Sequence, residues 1–338
     1  MEVILQIKDL YVDFFDKNTA KNHSVIKGLC LDIAAGKKTI LFGPSGCGKS
    51  ILAESIIGIV TGFPGIVSGQ IIYNGFSYLP PKYFTQGKSI KENPEFYYNL
   101  NENLRRLRGK KISYVFQEYK KSLFVSQKVL HQFINLYLLY KDETPSAENI
   151  NRFFKDLNLK IDYHSLENKY ADEISGGMAQ QLALAMALLP EPQLLIADEV
   201  VTSMDLNASL NIIESLNKYF SKEEQNTEKP NRSLILITHD KSLIDLIEPD
   251  YIAIMFNGLI IESIPYSKNL TFYHPISRLI YDGCYISECG NPNDDQQNLC
   301  PCLFICDQAD NCRLPFVNKI SDEHFIRCEK PSFKTHTL

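Results

Sequence analysis

Long apolar runs are absent from this chain of 338 residues. The most apolar stretches, such as LALAMALL (182–189), fall far short of the roughly 20 residues with which a helix crosses a bilayer. The first residues also lack the positively charged segment and apolar block that mark a secretory signal. We therefore expect a protein that does not span a membrane itself and that resides in the cytosol.

An excess of positive charge is absent too, because 35 Lys and Arg residues face 40 Asp and Glu residues and give a net charge of -5. A surface that follows nucleic-acid phosphates is usually basic, so this balance argues against nucleic acid as the main partner. Low-complexity tracts and short repeats are likewise missing. The composition is globular, 44% hydrophobic and 22% charged, and the length allows two domains or one domain with appendages.

A glycine-rich octet is the strongest motif present. GPSGCGKS (43–50) follows the strand-like KKTILFG (37–43) and precedes the helix-like ILAESIIGIV (51–60). Glycines let the backbone turn its N–H groups toward phosphate oxygens, the lysine supplies positive charge, and the serine offers a hydroxyl to Mg²⁺. The cysteine fills a small position, although a thiol at a helix N-terminus could be reactive. The predicted phosphate-binding residues are Gly43, Pro44, Ser45, Gly46, Cys47, Gly48, Lys49 and Ser50.

A pair of carboxylates ends a second apolar segment, PQLLIADE (192–199), which is typical of a buried parallel strand. Asp198 is placed to hold Mg²⁺, directly or through water. Glu199, the next residue, is placed to polarise an attacking water as a general base. The alternative, a solvated strand end, is weak because a phosphate-binding loop lies in the same chain.

A helix start lies just before that strand, in EISGGMAQQLALAMALLP (173–190). Ser175 is a suitable N-cap, and Gly176 and Gly177 leave the backbone N–H groups open to an anion. Because the chain already has one phosphate-binding loop, a second such surface is most useful if it completes the site of a neighbouring molecule.

These elements resemble those of the ATPases of ABC transporters. SGGMAQQ resembles the family signature, and Gln117 in YVFQE, Asp205 in TSMDLN and His239 in LILITHD follow the family order. The resemblance covers roughly residues 3 to 285. It implies an α/β fold, a P-loop NTPase core with a mixed sheet and a helical subdomain inserted at about residues 120–190. It also implies ATP and Mg²⁺ as ligands.

The same resemblance implies roles for single residues. Gln117 would sense Mg²⁺ and the attacking water and contact a coupling helix of the membrane partner. His239 would contact the γ-phosphate, Asp205 would communicate across an ATPase dimer, and Ser175 with its two glycines would clamp the nucleotide of the opposite subunit. An aromatic residue usually stacks on adenine. The candidates are Phe14 first, then Phe15 and Tyr11.

Three further segments resemble the dipeptide, oligopeptide and nickel importer branch: GFPGIVSGQIIYNG (62–75), LRRLRGKKISYVFQE (104–118) and TFYHPISRLI (271–280). This branch implies import of peptides, nickel or metal chelates, driven by ATP-dependent dimer closure. The implied partners are a second, different ATPase subunit, two transmembrane permease subunits and, indirectly, an extracytoplasmic substrate-binding protein. The implied location is the inner face of the plasma membrane.

Seven of the nine cysteines lie after residue 283, several of them in CPCLFICDQADNC (300–312). A cytosolic location disfavours disulfides and leaves an iron–sulfur cluster, zinc or free thiols. The importer branch implies a [4Fe-4S] cluster on Cys300, Cys306, Cys312 and Cys328, with zinc as the alternative metal. Cys302 offers a substitute ligand. We therefore divide the chain into an ATPase domain (1–265) and a cysteine-rich extension (266–338).

Some positions depart from the family pattern. Gln180-Gln181 stands where the signature commonly ends in Gln-Arg, Val200 replaces a proline, and SLFVSQ (122–127) lacks the usual Asn-Pro. Two other functions are compatible with the motifs: a soluble ABC ATPase of translation or DNA repair, and an ATPase linked to an iron–sulfur sensor. The single phosphate-binding loop and the lack of heptads favour the transporter.

Overall fold

Two β-sheets form the framework of the computed structural model, which describes residues 2–17, 19–81, 89–118, 122–202, 204–221, 231–283, 318–321 and 324–326. None of the helices within these ranges is both long and apolar enough to cross a membrane. The strands are β1 (Val3–Asp16), β2 (Lys21–Ala34), β3 (Lys38–Phe42), β4 (Pro64–Tyr73), β5 (Phe76–Leu79), β6 (Ile112–Val115), β7 (Leu194–Asp198), β8 (Ser233–Thr238), β9 (Tyr251–Phe256), β10 (Leu259–Pro265), β11 (Asn318–Ser321) and β12 (His324–Ile326).

The smaller sheet has four strands in the order β2-β1-β4-β5, and every neighbouring pair is antiparallel. The long strand β1 buries Leu5, Ile7, Leu10 and Val12. A turn at Asn74 and Gly75 joins β4 to β5, and both residues have positive φ angles, 46° and 75°. This geometry suits an Asn-Gly turn, because both residue types tolerate the left-handed region.

The larger sheet has eight strands in the order β11-β12-β10-β9-β3-β8-β7-β6. Strands β9, β3, β8, β7 and β6 are mutually parallel, whereas β10, β12 and β11 are added antiparallel at one edge. The antiparallel pairing of β9 with β10 forms a hairpin that turns at Asn257-Gly258. The parallel strands all end at the same edge of the sheet, where ligands of such folds bind.

The helices are α1 (Lys49–Ile56), α2 (Pro94–Arg105), α3 (Val129–Lys141), α4 (Ala147–Asp156), α5 (Tyr163–Leu166), α6 (Gly176–Leu188), α7 (Leu206–Tyr219), α8 (Ser242–Ile247) and α9 (Pro275–Tyr281). Helices α3 to α6 follow one another between β6 and β7, where the resemblance implied inserted helices at about residues 120–190. Sequence patterns did not predict α2, although Asn93 caps it and Pro94 occupies its first turn.

Strand β7 shows how the larger sheet is buried on both faces. Leu194 and Ile196 pack into the cluster shared with the smaller sheet and α1, whereas Leu195 and Ala197 pack into the cluster on the helical side. Successive side chains of a strand point to opposite faces, so a continuous apolar run is what a doubly covered strand requires. The predicted α/β fold with a mixed sheet and inserted helices is therefore confirmed, with the functional edge of β7 held rigidly between two cores.

The extension after residue 265 is described in part. Helix α9 follows β10, and β12 pairs with β10 through Glu262 opposite Ile326 and Ser263 opposite Phe325. The cysteine segment lies outside the described residues, so the cluster predicted there stays a prediction. The domain boundary at residue 265 coincides with the end of β10.

Candidate functional site

The candidate site lies at the carboxyl edge of the parallel strands. The phosphate-binding loop follows β3, Gln117 follows β6, Glu199 follows β7 and His239 follows β8. The registers bring these strand ends level, since Phe42 pairs with Thr238 and Asp198 pairs with Ile237. Residues that are far apart in the sequence therefore meet at one place.

The phosphate-binding loop wraps around its own lysine. Lys49 is buried, and its Nζ donates to the carbonyl oxygens of Gly43 and Pro44, each at 2.9 Å. Gly46 and Gly48 have φ angles of 79° and 107°, which a side chain would disfavour, and α1 begins directly after them. The loop thus holds an ammonium group at the N-terminus of a helix, an arrangement that favours anions.

The β9–β10 hairpin supports this loop from behind. A Cβ atom on Gly43 would lie 2.2 Å from the carbonyl oxygen of Met255, so only glycine fits there without movement. The backbone N–H of Gly258 donates to the carbonyl of Cys47 at 3.0 Å. Burial raises the pKa of Cys47, partly opposed by the charge of Lys49, so the thiol favours its protonated form.

Asp198 is a buried carboxylate, and one of its two oxygens accepts a hydrogen bond from Tyr114. Its Oδ2 accepts a hydrogen bond from the Tyr114 hydroxyl at 2.8 Å, whereas Oδ1 has no hydrogen-bond partner among the described residues. Burial raises the pKa of Asp198, and the hydroxyls of Ser50 and Tyr114 act in the opposite direction. A buried oxygen without a partner beside a serine hydroxyl suits a hard cation such as Mg²⁺, which prefers oxygen ligands. The residues present therefore fit Mg²⁺.

Both carboxylate oxygens of Glu199 are engaged. Gln117 Nε2 donates to Oε2 at 2.7 Å, and His239 Nδ1 lies 2.9 Å from Oε1. The side chain of Glu199 is only 10% exposed, and its φ of 45° places it in the left-handed region, which is uncommon for a residue other than glycine. Three residues predicted to act in catalysis are thus brought into direct contact.

The second predicted anion-binding surface lies where two helices start. Ser175 caps α6 by accepting from the N–H of Met178 at 3.2 Å, and Asp205 caps α7 by accepting from the N–H of Ala208 at 2.9 Å. A Cβ on Gly177 would lie 3.1 Å from the Cβ of Ala208, so the two starts are adjacent. Ser175 is exposed and Gly176 partly so, which leaves this surface open to a neighbouring molecule.

The three aromatic candidates for adenine all lie on β1. Phe14 is partly buried and packs over Gly62, where a Cβ would lie 2.1 Å from the ring. Phe15 and Tyr11 are 48% and 41% exposed. The choice of Phe14 stays a prediction.

Two of the residues that depart from the family pattern, Gln181 and Val200, have partners within the chain. Gln181 is buried, and its Oε1 accepts from the backbone N–H of Lys160 at 2.7 Å, which ties the segment after α4 to α6. Val200 is buried in the cluster on the helical side. These side chains therefore serve packing within the chain.

Sequence reasoning missed two partners of the acidic pair. Tyr114 contacts Asp198, and the Thr202 hydroxyl lies 3.5 Å from Glu199 Oε2. A signal for Tyr114 is its place three residues before Gln117 on the strand beside β7, but using it requires knowledge of the strand order. The four cysteines predicted to bind the cluster lie outside the described residues. Within those residues, no group of three or more His, Cys, Asp or Glu side chains is arranged to hold a metal.

The chain is similar in sequence to known proteins. A family model described as ABC transporter matches residues 26–202. The chain is 29% identical over 263 residues to the oligopeptide transport ATP-binding protein OppD of Bacillus subtilis, covering 77% of this chain and 65% of that protein. It is 28% identical over 351 residues to the dipeptide transport ATP-binding protein DppD of the same organism, covering 97% and 95%.

A solved structure shares the fold. It is the dimeric post-hydrolysis ATP-binding cassette MJ0796 bound to ADP and Pi, with a TM-score of 0.58 and 19% identity over 77% of this chain and 98% of that one. The match of the family model to more than half of the sequence carries the assignment. The chain belongs to the ABC transporter family, as an ATP-binding protein of that family.

Proposed function

We propose that this chain is the ATP-hydrolysing subunit that powers import of peptides through a membrane ABC transporter, with nickel or metal chelates as alternative cargo. The observation that carries the proposal is the meeting of the Lys49 loop, Asp198 and Glu199 at one sheet edge. The peptide cargo is supported by the names of the OppD and DppD relatives, one of which aligns along nearly the whole chain.

The loop around Lys49 binds the β- and γ-phosphates. The ammonium group now donates to two backbone carbonyls, and phosphate oxygens are stronger acceptors because they carry charge. The N–H groups at the start of α1 add to this attraction. Gly46 and Gly48 keep this backbone free of side chains that would fill the space of the phosphates.

Asp198 and Ser50 would hold Mg²⁺ at this site. When bound, Mg²⁺ neutralises charge that develops on the phosphate oxygens. Asp198 Oδ1 is available for this role, because the Tyr114 hydroxyl contacts the other oxygen. Gln117 lies close enough to Glu199 to reach the same region.

Glu199 acts as the general base for hydrolysis. A water molecule transfers a proton to a carboxylate oxygen of Glu199 while its oxygen forms a bond to the γ-phosphorus, and the bond to the bridging oxygen breaks to leave ADP. Because Gln117 and His239 each contact one carboxylate oxygen of Glu199, one of these two contacts must break before the water can bind there. His239 is then placed to contact the γ-phosphate.

The surface formed by Ser175, Gly176, Gly177 and Asp205 serves the nucleotide of a second ATPase subunit. The exposure of Ser175 and the adjacency of α6 and α7 support this role. In the importer branch that the sequence resembles, the two ATPases are usually different chains, so we propose a heterodimer. Closure of the pair around two nucleotides would drive the permease subunits between their two states.

The permease docks beside the Gln117 segment. Phe124 and Val125 are 69% and 73% exposed although both are apolar, which is typical of a contact surface. Next to them lies a concavity of about 380 Å³ that is lined by Ser126, Gln127, Lys128, His131, Asn135 and Tyr170. Docking here would place the chain peripherally on the inner face of the plasma membrane. An extracytoplasmic binding protein would deliver the cargo on the other side.

We also propose that Cys300, Cys306, Cys312 and Cys328 hold a [4Fe-4S] cluster, with zinc as the alternative metal. Thiolates are the usual ligands of both, and the spacings of 6, 6 and 16 residues fit paired zinc knuckles poorly. The cluster would be structural and would fold a small domain in the tail that follows α9.

Glu199→Gln tests the function in the assembled transporter. We expect the variant to bind ATP with wild-type affinity and to lose turnover, because an amide does not accept the proton of the water. Glu214→Gln is the matched control, since Glu214 lies on α7 and accepts a hydrogen bond from the Asn158 side chain at 2.9 Å. ATP hydrolysis by Glu199→Gln at the wild-type rate would overturn the assignment.

A further inference from the structure

One side chain contacts the predicted Mg²⁺ ligand directly. The hydroxyl of Tyr114 donates to Asp198 Oδ2 at 2.8 Å. The two residues lie on neighbouring parallel strands, β6 and β7, and are 84 positions apart in the chain. Tyr114 begins the YVFQE segment that contains Gln117, but the sequence motifs assign it no role.

The ring that carries this hydroxyl is held firmly. Tyr114 pairs with Ile196 in the β6–β7 register, and its ring packs edge-on against Phe116 with centroids 4.5 Å apart. It also packs against the cluster that joins the two sheets. A donor on a rigid aromatic ring restricts its acceptor more than a donor on a flexible side chain does.

The hydroxyl of Ser50 also acts on Asp198, but Ser50 is itself a predicted Mg²⁺ ligand, so Tyr114 is the partner that remains when the metal binds. The side chain of Asp198 is 1% exposed, so water does not order it, and Oδ1 lacks a hydrogen-bond partner among the described residues. The torsion that rotates a carboxylate about its last bond is broad, so the hydrogen bonds that a carboxylate accepts decide which oxygen faces which way. In this structure the bond to Tyr114 takes Oδ2 and leaves Oδ1 available.

We propose that Tyr114 is a positioning residue for ATP hydrolysis: its hydroxyl holds Asp198 Oδ2 and thereby presents Asp198 Oδ1 to Mg²⁺. The proposal rests on the proposed function, in which Asp198 is a ligand of Mg²⁺. Partners that orient a ligating carboxylate contribute strongly to metal affinity, and their loss typically weakens it about 10- to 100-fold.

A buried tyrosine hydroxyl also has a purely structural use, and two other tyrosines show it. Tyr73 donates to Gln193 Oε1 at 2.7 Å, and Tyr78 donates to the carbonyl of Ile56 at 2.6 Å. Gln193 directly precedes β7, so Tyr73 contacts the far end of the strand that carries Asp198. Tyr73→Phe is therefore a matched control, since it removes a partly buried tyrosine hydroxyl away from the candidate site.

The test measures Mg²⁺ binding and turnover separately in the full-length protein. A fluorescent ATP analogue is titrated in EDTA and in Mg²⁺, and ATP hydrolysis is titrated with Mg²⁺. For Tyr114→Phe we expect unchanged affinity in EDTA, a smaller gain of affinity with Mg²⁺, and a half-saturating Mg²⁺ concentration raised about 10-fold or more. We expect turnover to recover at saturating Mg²⁺. Tyr73→Phe should match the wild type in every titration.

A double variant separates positioning from general stability. If Tyr114 acts through Asp198, adding Tyr114→Phe to Asp198→Asn should weaken Mg²⁺ binding no further, because the carboxylate that Tyr114 orients is already lost. Additive losses would overturn the proposal, as would a Tyr114→Phe protein with wild-type Mg²⁺ dependence. Should Tyr114→Phe fail to fold, Tyr114→Met provides an apolar side chain without a hydroxyl for the same titrations.

Failure of the Tyr114 proposal can be distinguished from failure of the proposed function. A wild-type protein that hydrolyses ATP and a Glu199→Gln variant that does not would sustain the function even if Tyr114→Phe changed nothing. A wild-type protein in the assembled transporter without Mg²⁺-dependent turnover would instead refute the function itself.

Discussion

Gly43→Ala should damage nucleotide binding more than it damages the fold. The new Cβ would lie 2.2 Å from the carbonyl oxygen of Met255 and 3.1 Å from the sulfur of Cys47. Carbon and oxygen atoms normally approach to about 3.3 Å, so the loop and β9 must separate by about 1 Å. Overpacking of this kind costs about 1–3 kcal/mol of unfolding free energy.

The functional loss follows from what Gly43 holds. Its carbonyl oxygen accepts from Lys49 Nζ, so displacement of the loop moves the ammonium group with it. A misplacement of about 1 Å can lower turnover about 100-fold. Binding of a fluorescent ATP analogue, ATP hydrolysis and urea unfolding measure the three effects on the same preparation.

Gly75→Ala is the control for this prediction. Gly75 has a φ of 75°, and no heavy atom lies within 4 Å of an added Cβ, so the change costs about 1–2 kcal/mol through the backbone alone. We expect Gly75→Ala to lose stability but to bind ATP normally. The reasoning is refuted if Gly43→Ala binds ATP as tightly as Gly75→Ala does.

Three further predictions concern the rest of the chain. Burial lowers the pKa of His274 from 6.5 to about 4, so the unfolded chain takes up this proton first as the pH falls. The contribution of neutral His274 to stability is therefore complete above about pH 6.5 and is lost toward pH 4. Between pH 7.5 and pH 5 we expect the free energy of unfolding to fall by about 2 kcal/mol because of this residue. In urea unfolding, His274→Asn should lack this pH-dependent loss. Phe124→Asp should weaken co-purification with the permease while ATP binding persists; unchanged co-purification would contradict docking at this surface. Protein purified without oxygen should contain about four iron atoms per chain and absorb visible light, whereas a colourless protein with one zinc would contradict the cluster.

Much of the site was accessible to sequence reasoning because its elements are local. The phosphate-binding loop, the acid pair at the end of β7 and the Ser175 cap each depend on residues within a few positions of one another. The Asn257-Gly258 hairpin is local in the same sense. Turn chemistry and strand burial depend on residues a few positions apart, so both can be predicted directly from the sequence.

The contacts that sequence reasoning missed depend on strand order. Tyr114 meets Asp198 only because β6 lies beside β7, although four helices separate the two strands in the chain. The division of the strands between two sheets is equally non-local, since β1 and β2 belong to one sheet and β3 to the other. Helix α2 did carry local start signals, Asn93 and Pro94, which show that caps are informative even where apolar periodicity is weak.

In the proposed dimer, one nucleotide is bound between the loop around Lys49 of this chain and the signature helix of the neighbouring ATPase subunit, and Ser175 of this chain faces the other nucleotide. A cryo-EM structure of the assembled Glu199→Gln transporter with ATP and Mg²⁺ tests this central claim most directly. We predict triphosphate density against Lys49, with the neighbouring subunit's signature helix capping it and Ser175 of this chain facing the other nucleotide. Nucleotide density away from Lys49, or a Ser175 surface that faces no nucleotide, would contradict the account.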